Sequence, residues 1–131
     1  MSKRILVIED TEDNRQIIRD LLTSFDYELI EAVDGAEGVA MAQTHVPDLI
    51  LMDIQLPVID GYEATRRIRA IPELADVPIV AVTSYALSGD EAKTREAGCD
   101  GYIAKPISTR SLPRTLASTL EEPPPAPEDA S

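Results

Sequence analysis

The chain has 131 residues, 44% hydrophobic and 27% charged, which is enough for one domain built on a single core. Its net charge of −12 excludes sequence-independent binding to DNA, RNA or an anionic membrane, each of which needs a basic face. No apolar stretch approaches the roughly 20 residues of a membrane span, no signal peptide is visible, and the single Cys99 cannot form an internal disulfide; a cytoplasmic protein is expected.

Short apolar runs alternate five times with stretches of helical period. The first run, Ile5-Leu6-Val7-Ile8, predicts a strand over 4–9 that closes on Glu9 and Asp10. A helix over 12–25 follows, with Ile18, Leu21, Leu22 and Phe25 on one core face, flanked by Asn14 and Ile17. The second strand, over 27–32, carries Glu28 and Glu31 and is therefore read as an edge. Asp34-Gly35-Ala36-Glu37 has capping-box spacing and opens a helix over 35–44. His45 is read as a surface partner of that helix's C-terminal dipole.

The third strand, over 48–53, is Leu49-Ile50-Leu51-Met52 ending on Asp53. Asp60-Gly61-Tyr62-Glu63 caps a helix over 61–71, whose Arg66, Arg67 and Arg69 read as a solvated face. A fourth strand, over 77–83, closes on Thr83. Ser88-Gly89-Asp90-Glu91 opens a helix over 88–97 that should stop in left-handed geometry at Gly98, beside a buried Cys99. The last strand, over 101–104, holds Tyr102 and closes on Lys105. A final helix over 109–120 contains Pro113, which removes a backbone hydrogen bond, so its regular part should start near Ser111. The folded unit is expected to span 1–121, with the acidic, proline-rich residues 122–131 as a disordered tail and no output domain.

Strict β-α alternation predicts an α/β doubly wound, five-stranded parallel sheet of flavodoxin-like order 2-1-3-4-5. Its strand ends would then gather Glu9, Asp10, Asp53, Thr83 and Lys105 on the rim where such sheets place ligands. A carboxylate can accept a phosphoryl group as an acyl phosphate once the charge is neutralised. Three adjacent acids oppose one another's ionisation, and Mg²⁺ relieves that conflict by taking their oxygens, a backbone carbonyl and waters. Asp53 and Asp10 are expected as direct ligands, Glu9 as a direct or water-mediated one, and Gln55 as the backbone carbonyl; Mn²⁺ is expected to substitute. Lys105 offers a point charge to phosphoryl oxygens, and Thr83 a hydroxyl donor. Taken singly, each acid could be a helix-terminus or turn residue, as Glu12 and Asp13 are. Independent capping does not explain acids, a threonine and a lysine at four strand ends.

Val7-Ile8-Glu9-Asp10, Leu51-Met52-Asp53-Ile54-Gln55-Leu56-Pro57, Asp60-Gly61, Val82-Thr83-Ser84 and Tyr102-Ile103-Ala104-Lys105-Pro106 resemble the motifs of the bacterial response regulator receiver domain. The resemblance covers residues 3 to about 121, and its details are similar to stand-alone regulators of the DivK kind and to hybrid-kinase receivers. It implies that Asp53 is the phosphoacceptor, Lys105 the phosphate-binding lysine, Thr83 the switch hydroxyl and Tyr102 the switch aromatic. It also implies a Lys105–Pro106 bond that is commonly cis, and Gln55 and Tyr85 bordering the phosphoryl group, with slow self-dephosphorylation expected. Thr11 departs from the Asn common in close relatives. The implied partners are a histidine kinase or histidine phosphotransfer protein and a downstream protein target, without nucleic acid or membrane. The state would be a monomer or a phosphorylation-modulated homodimer.

Such a module is not an enzyme acting on an outside substrate. A haloacid-dehalogenase-type hydrolase needs an acid two residues after its nucleophile, where this chain has Gln55. A flavodoxin-type cofactor module needs a phosphate loop where Asp10-Thr11-Glu12-Asp13 would repel it. A phosphorylation-independent scaffold would have lost a site residue, and none is missing.

Overall fold

Each predicted strand and helix is found in chain order in a computed structural model, which describes residues 3–25, 27–83, 90–105 and 111–119. The strands are β1 (Arg4–Ile8), β2 (Glu28–Ala32), β3 (Leu49–Asp53), β4 (Ile79–Thr83) and β5 (Gly101–Ala104). Between and after them lie α1 (Glu12–Thr23), α2 (Gly35–His45), α3 (Gly61–Arg69), α4 (Asp90–Ala97) and α5 (Ser111–Thr119). All strand pairs are parallel, in the order β2-β1-β3-β4-β5. The charged second strand is at the edge, because only there can Glu28 and Glu31 keep contact with water.

Side chains alternate across the sheet and feed two cores. Leu6, Ile8, Ile50, Met52, Ile79 and Ala81 face Ala42 of α2 and Ala64 and Ile68 of α3. Ile5, Val7, Leu49, Leu51, Val80 and Val82 face Ile18 and Leu22 of α1 and Leu112 and Leu116 of α5. Each fully buried Leu or Ile contributes roughly 1.5–3 kcal/mol relative to exposure, so the central strands are pinned from both sides. The sheet therefore presents its strand ends as a rigid rim.

Several boundaries differ from expectation, each for a local reason. Tyr27 spends its N–H on the Leu22 carbonyl (3.3 Å), so β2 starts one residue later. Pro78 has no N–H to give the ladder, and β4 starts after it. α1 stops at Thr23 because the Ser24 hydroxyl donates to the Leu21 carbonyl at 2.8 Å, and Phe25 packs half-buried beyond the helix. α3 stops at Arg69: Pro72 forces Ile71 into extended geometry (φ −88°, ψ 118°), and residues 72–74 form a short 3-10 turn. The described part of α5 runs from Ser111 to Thr119 and includes Pro113, while the residues before it, 106–110, lie outside the described residues, as does the expected start near 109.

The caps act as read. Asp34 accepts from the Glu37 N–H (2.8 Å), and Asp60 from the Glu63 N–H (2.9 Å). Gly98 adopts φ 114°, with Gly98 N–H on the Arg95 carbonyl and Cys99 N–H on that of Thr94, a Schellman stop. Ser88, Gly89 and the tail lie outside the described residues.

The arginine cluster needs correction. Arg66 and Arg67 are exposed and pair with Glu63, but Arg69 is only 20% exposed. Its guanidinium donates to the carbonyls of Leu74, Ala75, Val77 and Gly98 and to the Asp100 carboxylate (2.7 Å). Those carbonyls belong to two chain ends that would otherwise be underbonded, so one cation fastens α3 to the α4–β5 joint.

At the other end of α3, Gly61 donates its N–H to the Ile54 carbonyl at 3.0 Å, drawing the helix start against the end of β3. A Cβ on Gly61 would stand 2.6 Å from Ile54 Cα and closer still to the Asp53 carbonyl oxygen. Gly61→Ala should therefore cost about 1–3 kcal/mol in urea unfolding, because backbone rather than a pliable side chain must give way. An unchanged midpoint would show that the α3 start yields freely.

Candidate functional site

Glu9 and Asp10 leave β1, Asp53 ends β3, and their ligand oxygens lie within 4.8 Å of one another. Glu9 is 1% exposed and Asp53 2%, whereas Asp10 faces solvent. Lys105, just beyond β5, extends its ammonium to Asp53 Oδ1 at 3.2 Å and lies 3.6 Å from Glu9 Oε1. Thr83 ends β4 and is fully buried, its carbonyl accepting the Lys105 N–H at 2.8 Å. The rim thus brings the three acids and Lys105 together, and Thr83 joins them through its backbone bond to Lys105. The Gln55 contact is made by its N–H, which donates to Asp53 Oδ1 at 3.0 Å.

Glu9 is held on three sides. Its N–H donates to the Ala32 carbonyl (3.1 Å), its carbonyl accepts from Arg15 (2.8 Å), and Oε2 accepts from the Thr11 N–H (3.0 Å). Oε1 is buried without a hydrogen-bond partner among the described residues, since 3.6 Å to Lys105 is too long for one. Burial pushes the Glu9 carboxyl up to about 7; the Thr11 N–H and Lys105 act against this, and the neighbouring Asp53 adds to it. Two buried carboxylates share one ammonium, and one oxygen lacks a donor. An all-oxygen set with that deficit suits a hard divalent cation.

Tyr102 pairs in register with Ala81, so it shares a sheet face with Thr83 one pleat further along β4. It is half-buried against the α2–α3 core, and the family resemblance was the signal that singled it out, since strand position alone reads as an ordinary half-buried aromatic. Cys99 is buried as read: Thr65 Oγ1 lies 3.8 Å from its sulfur, and burial pushes the thiol above its ordinary value. His45 lies in the last turn of α2, away from the rim. Ser84, Tyr85 and Pro106 lie outside the described residues.

Sequence reading missed a cluster on α1. Arg19 makes a two-pronged pair with Glu31 (2.8 and 2.7 Å), and Arg15 reaches Glu12, Glu31 and the Glu9 carbonyl. The pairing of Glu12 with Arg15 is visible as i,i+3 spacing. The pairing across to β2 and the strand end is not, because it requires the fold.

Residues 5–117 match the response regulator receiver domain. The polar-differentiation response regulator DivK of Brucella ovis is 43% identical over 120 residues, covering 92% of this chain and 98% of that protein. Among solved structures, the receiver domain of the Pseudomonas aeruginosa sensor histidine kinase PA1611, with magnesium in its active-site cleft, is 39% identical. It superposes with a TM-score of 0.87 over 93% of this chain and 100% of that one. The Vibrio cholerae chemotaxis protein CheY4 is 27% identical, with a TM-score of 0.86 over 91% and 99%. The order of the sheet, the acids on its rim and these likenesses agree: the chain belongs to the response regulator receiver domain family.

Proposed function

We propose that Asp53 is the phosphoacceptor of a phospho-aspartate switch, charged by a histidine kinase or a histidine phosphotransfer protein. The observation that carries this reading is a buried Asp53 with Lys105 on its Oδ1 and two further acids within 4.8 Å. A carboxylate oxygen of Asp53 forms the new P–O bond while the donor's bond to phosphorus breaks and the leaving group takes its electron pair. Lys105 follows the phosphoryl oxygens as a point charge, and burial makes that charge count. Mg²⁺, with Mn²⁺ able to substitute, would be held by Glu9, Asp10, Asp53 and the Gln55 carbonyl, and would supply the positive charge that lets the acids and a phosphoryl group coexist. The orphaned Glu9 Oε1 and the magnesium of the Pseudomonas neighbour support that assignment.

Thr83 then reads the new group with its hydroxyl, and Tyr102, on the same sheet face, turns toward the space this leaves. The surface of α4, β5 and α5 changes between two packings and binds a downstream protein or a second copy of the chain. The phosphodonor docks on the α1 side, where Ile17 is 47% exposed beside Asn14. The receiver unit spans 1–121, leaving 122–131 outside it. No helix among the described residues is long and apolar enough to cross a membrane, and we place the protein in the cytoplasm with its kinase.

Incubation with Mg²⁺ and a small acyl-phosphate donor should add one phosphoryl group to the intact mass. Asp53→Asn should abolish the gain with little change in the unfolding curve. Label that persists on the variant would move the nucleophile elsewhere.

The metal assignment has a pH signature. Without metal, Glu9 holds its proton up to about 7 when folded against an ordinary 4.5, so the folded state binds more protons than the unfolded state between those values. This contribution to stability is therefore full below 4.5 and lost as pH rises toward 7. Mg²⁺ favours the ionised acids, so its stabilising effect should grow over the same interval. Urea unfolding at several pH values, with and without Mg²⁺, checks this. Glu9→Gln should flatten the metal-free slope, and an unaltered slope would assign it to another group.

A further inference from the structure

Arg15 is the least exposed of the arginines on α1, its side chain 12% accessible, and it joins three elements at the rim. One terminal nitrogen, Nη1, donates to the Glu9 backbone carbonyl at 2.8 Å. Nη2 bonds Glu12 in the first turn of α1, and Nε lies 3.5 Å from Glu31 Oε1 on β2. The guanidinium's rigid fork is suited to holding such points at fixed angles.

The Glu9 carbonyl is where this matters. It shares a planar peptide unit with the Asp10 N–H, so a donor on that carbonyl fixes the rotation of the plane from which Asp10 departs. The Glu9 side chain has burial and the Thr11 N–H to hold it. Asp10 is exposed and has no such packing, so its approach to Asp53 depends on the backbone behind it. We propose that Arg15 is a positioning residue for the metal-binding acid pair, setting the angle at which Asp10 enters the site through the Glu9–Asp10 peptide. The inference rests on the reading of Glu9, Asp10 and Asp53 as a Mg²⁺ site.

Two roles for this guanidinium predict opposite signs. As a bare positive charge it repels a divalent cation, and its removal tightens binding. As a positioning group its loss weakens binding, and partners behind metal ligands typically cost 10–100-fold when removed. Lysine keeps the charge but is a point donor that cannot serve Glu9, Glu12 and Glu31 together. Arg19 is the control: it carries the same charge to Glu12 and Glu31, and its hydrogen bonds run to those two acids.

Mg²⁺ alone is titrated calorimetrically into the full chain and into Arg15→Lys, Arg15→Ala and Arg19→Ala. Metal-free urea curves confirm that each variant is folded under the titration conditions. Both Arg15 variants should bind Mg²⁺ about tenfold more weakly, with Arg19→Ala unchanged or tighter. Undiminished Mg²⁺ binding in the two Arg15 variants overturns the positioning role alone, as does equal weakening in Arg19→Ala. A wild-type chain that binds no Mg²⁺ overturns the metal-site reading and the positioning role with it.

Discussion

Glu9 and Asp53 place two carboxylates out of water against the single ammonium of Lys105, and the rest of the rim is organised around that deficit. Burying like charges together is costly, and burial, with Asp53 beside it, pushes the Glu9 carboxyl up to about 7. Hydrogen bonds from the Thr11 and Gln55 N–H groups satisfy one oxygen of each acid, and Glu9 Oε1 is left over. A site poised in this way gains from a cation and from a phosphoryl group whose oxygens Lys105 can follow. Signalling uses what would be a liability in a purely structural core.

The sheet explains why the deficit can persist. β1, β3 and β4 are covered on both faces, so their ends cannot drift apart to relieve the repulsion. Gly61 presses the start of α3 against β3, and Arg69 ties the far end of α3 to the α4–β5 joint. Side-chain alternation then divides the labour. Asp53 follows the face of Leu49 and Leu51, whereas Thr83 follows that of Ile79 and Ala81, where Tyr102 packs. In the proposed switch, a change in charge at Asp53 would therefore pass across the sheet to Tyr102.

Much of this was legible in the sequence because it is periodic or local. The apolar runs, the Asp34 and Asp60 caps, the Gly98 stop and the acids, threonine and lysine closing the strands each leave a signal within a few residues. The edge position of β2 followed from Glu28 and Glu31. Strand and helix ends were less legible, since competing hydrogen bonds at Ser24 and Tyr27 decide them. Arg15 and Arg69 were illegible for a deeper reason. Each serves carbonyls and acids brought together only by the fold, and an arginine on a helix surface looks the same whether solvated or clamped.

In the proposed switch, a charge event at Asp53 becomes a packing change at Tyr102 by way of Thr83. Amide and side-chain chemical shifts, recorded with Mg²⁺ alone and then with Mg²⁺ and a beryllofluoride acyl-phosphate mimic, test it most directly. Shifts at Glu9, Asp10, Asp53 and Lys105 are expected to extend to Thr83, Tyr102 and α4. Shifts confined to the acids and Lys105, with Thr83 and Tyr102 unmoved, would contradict it.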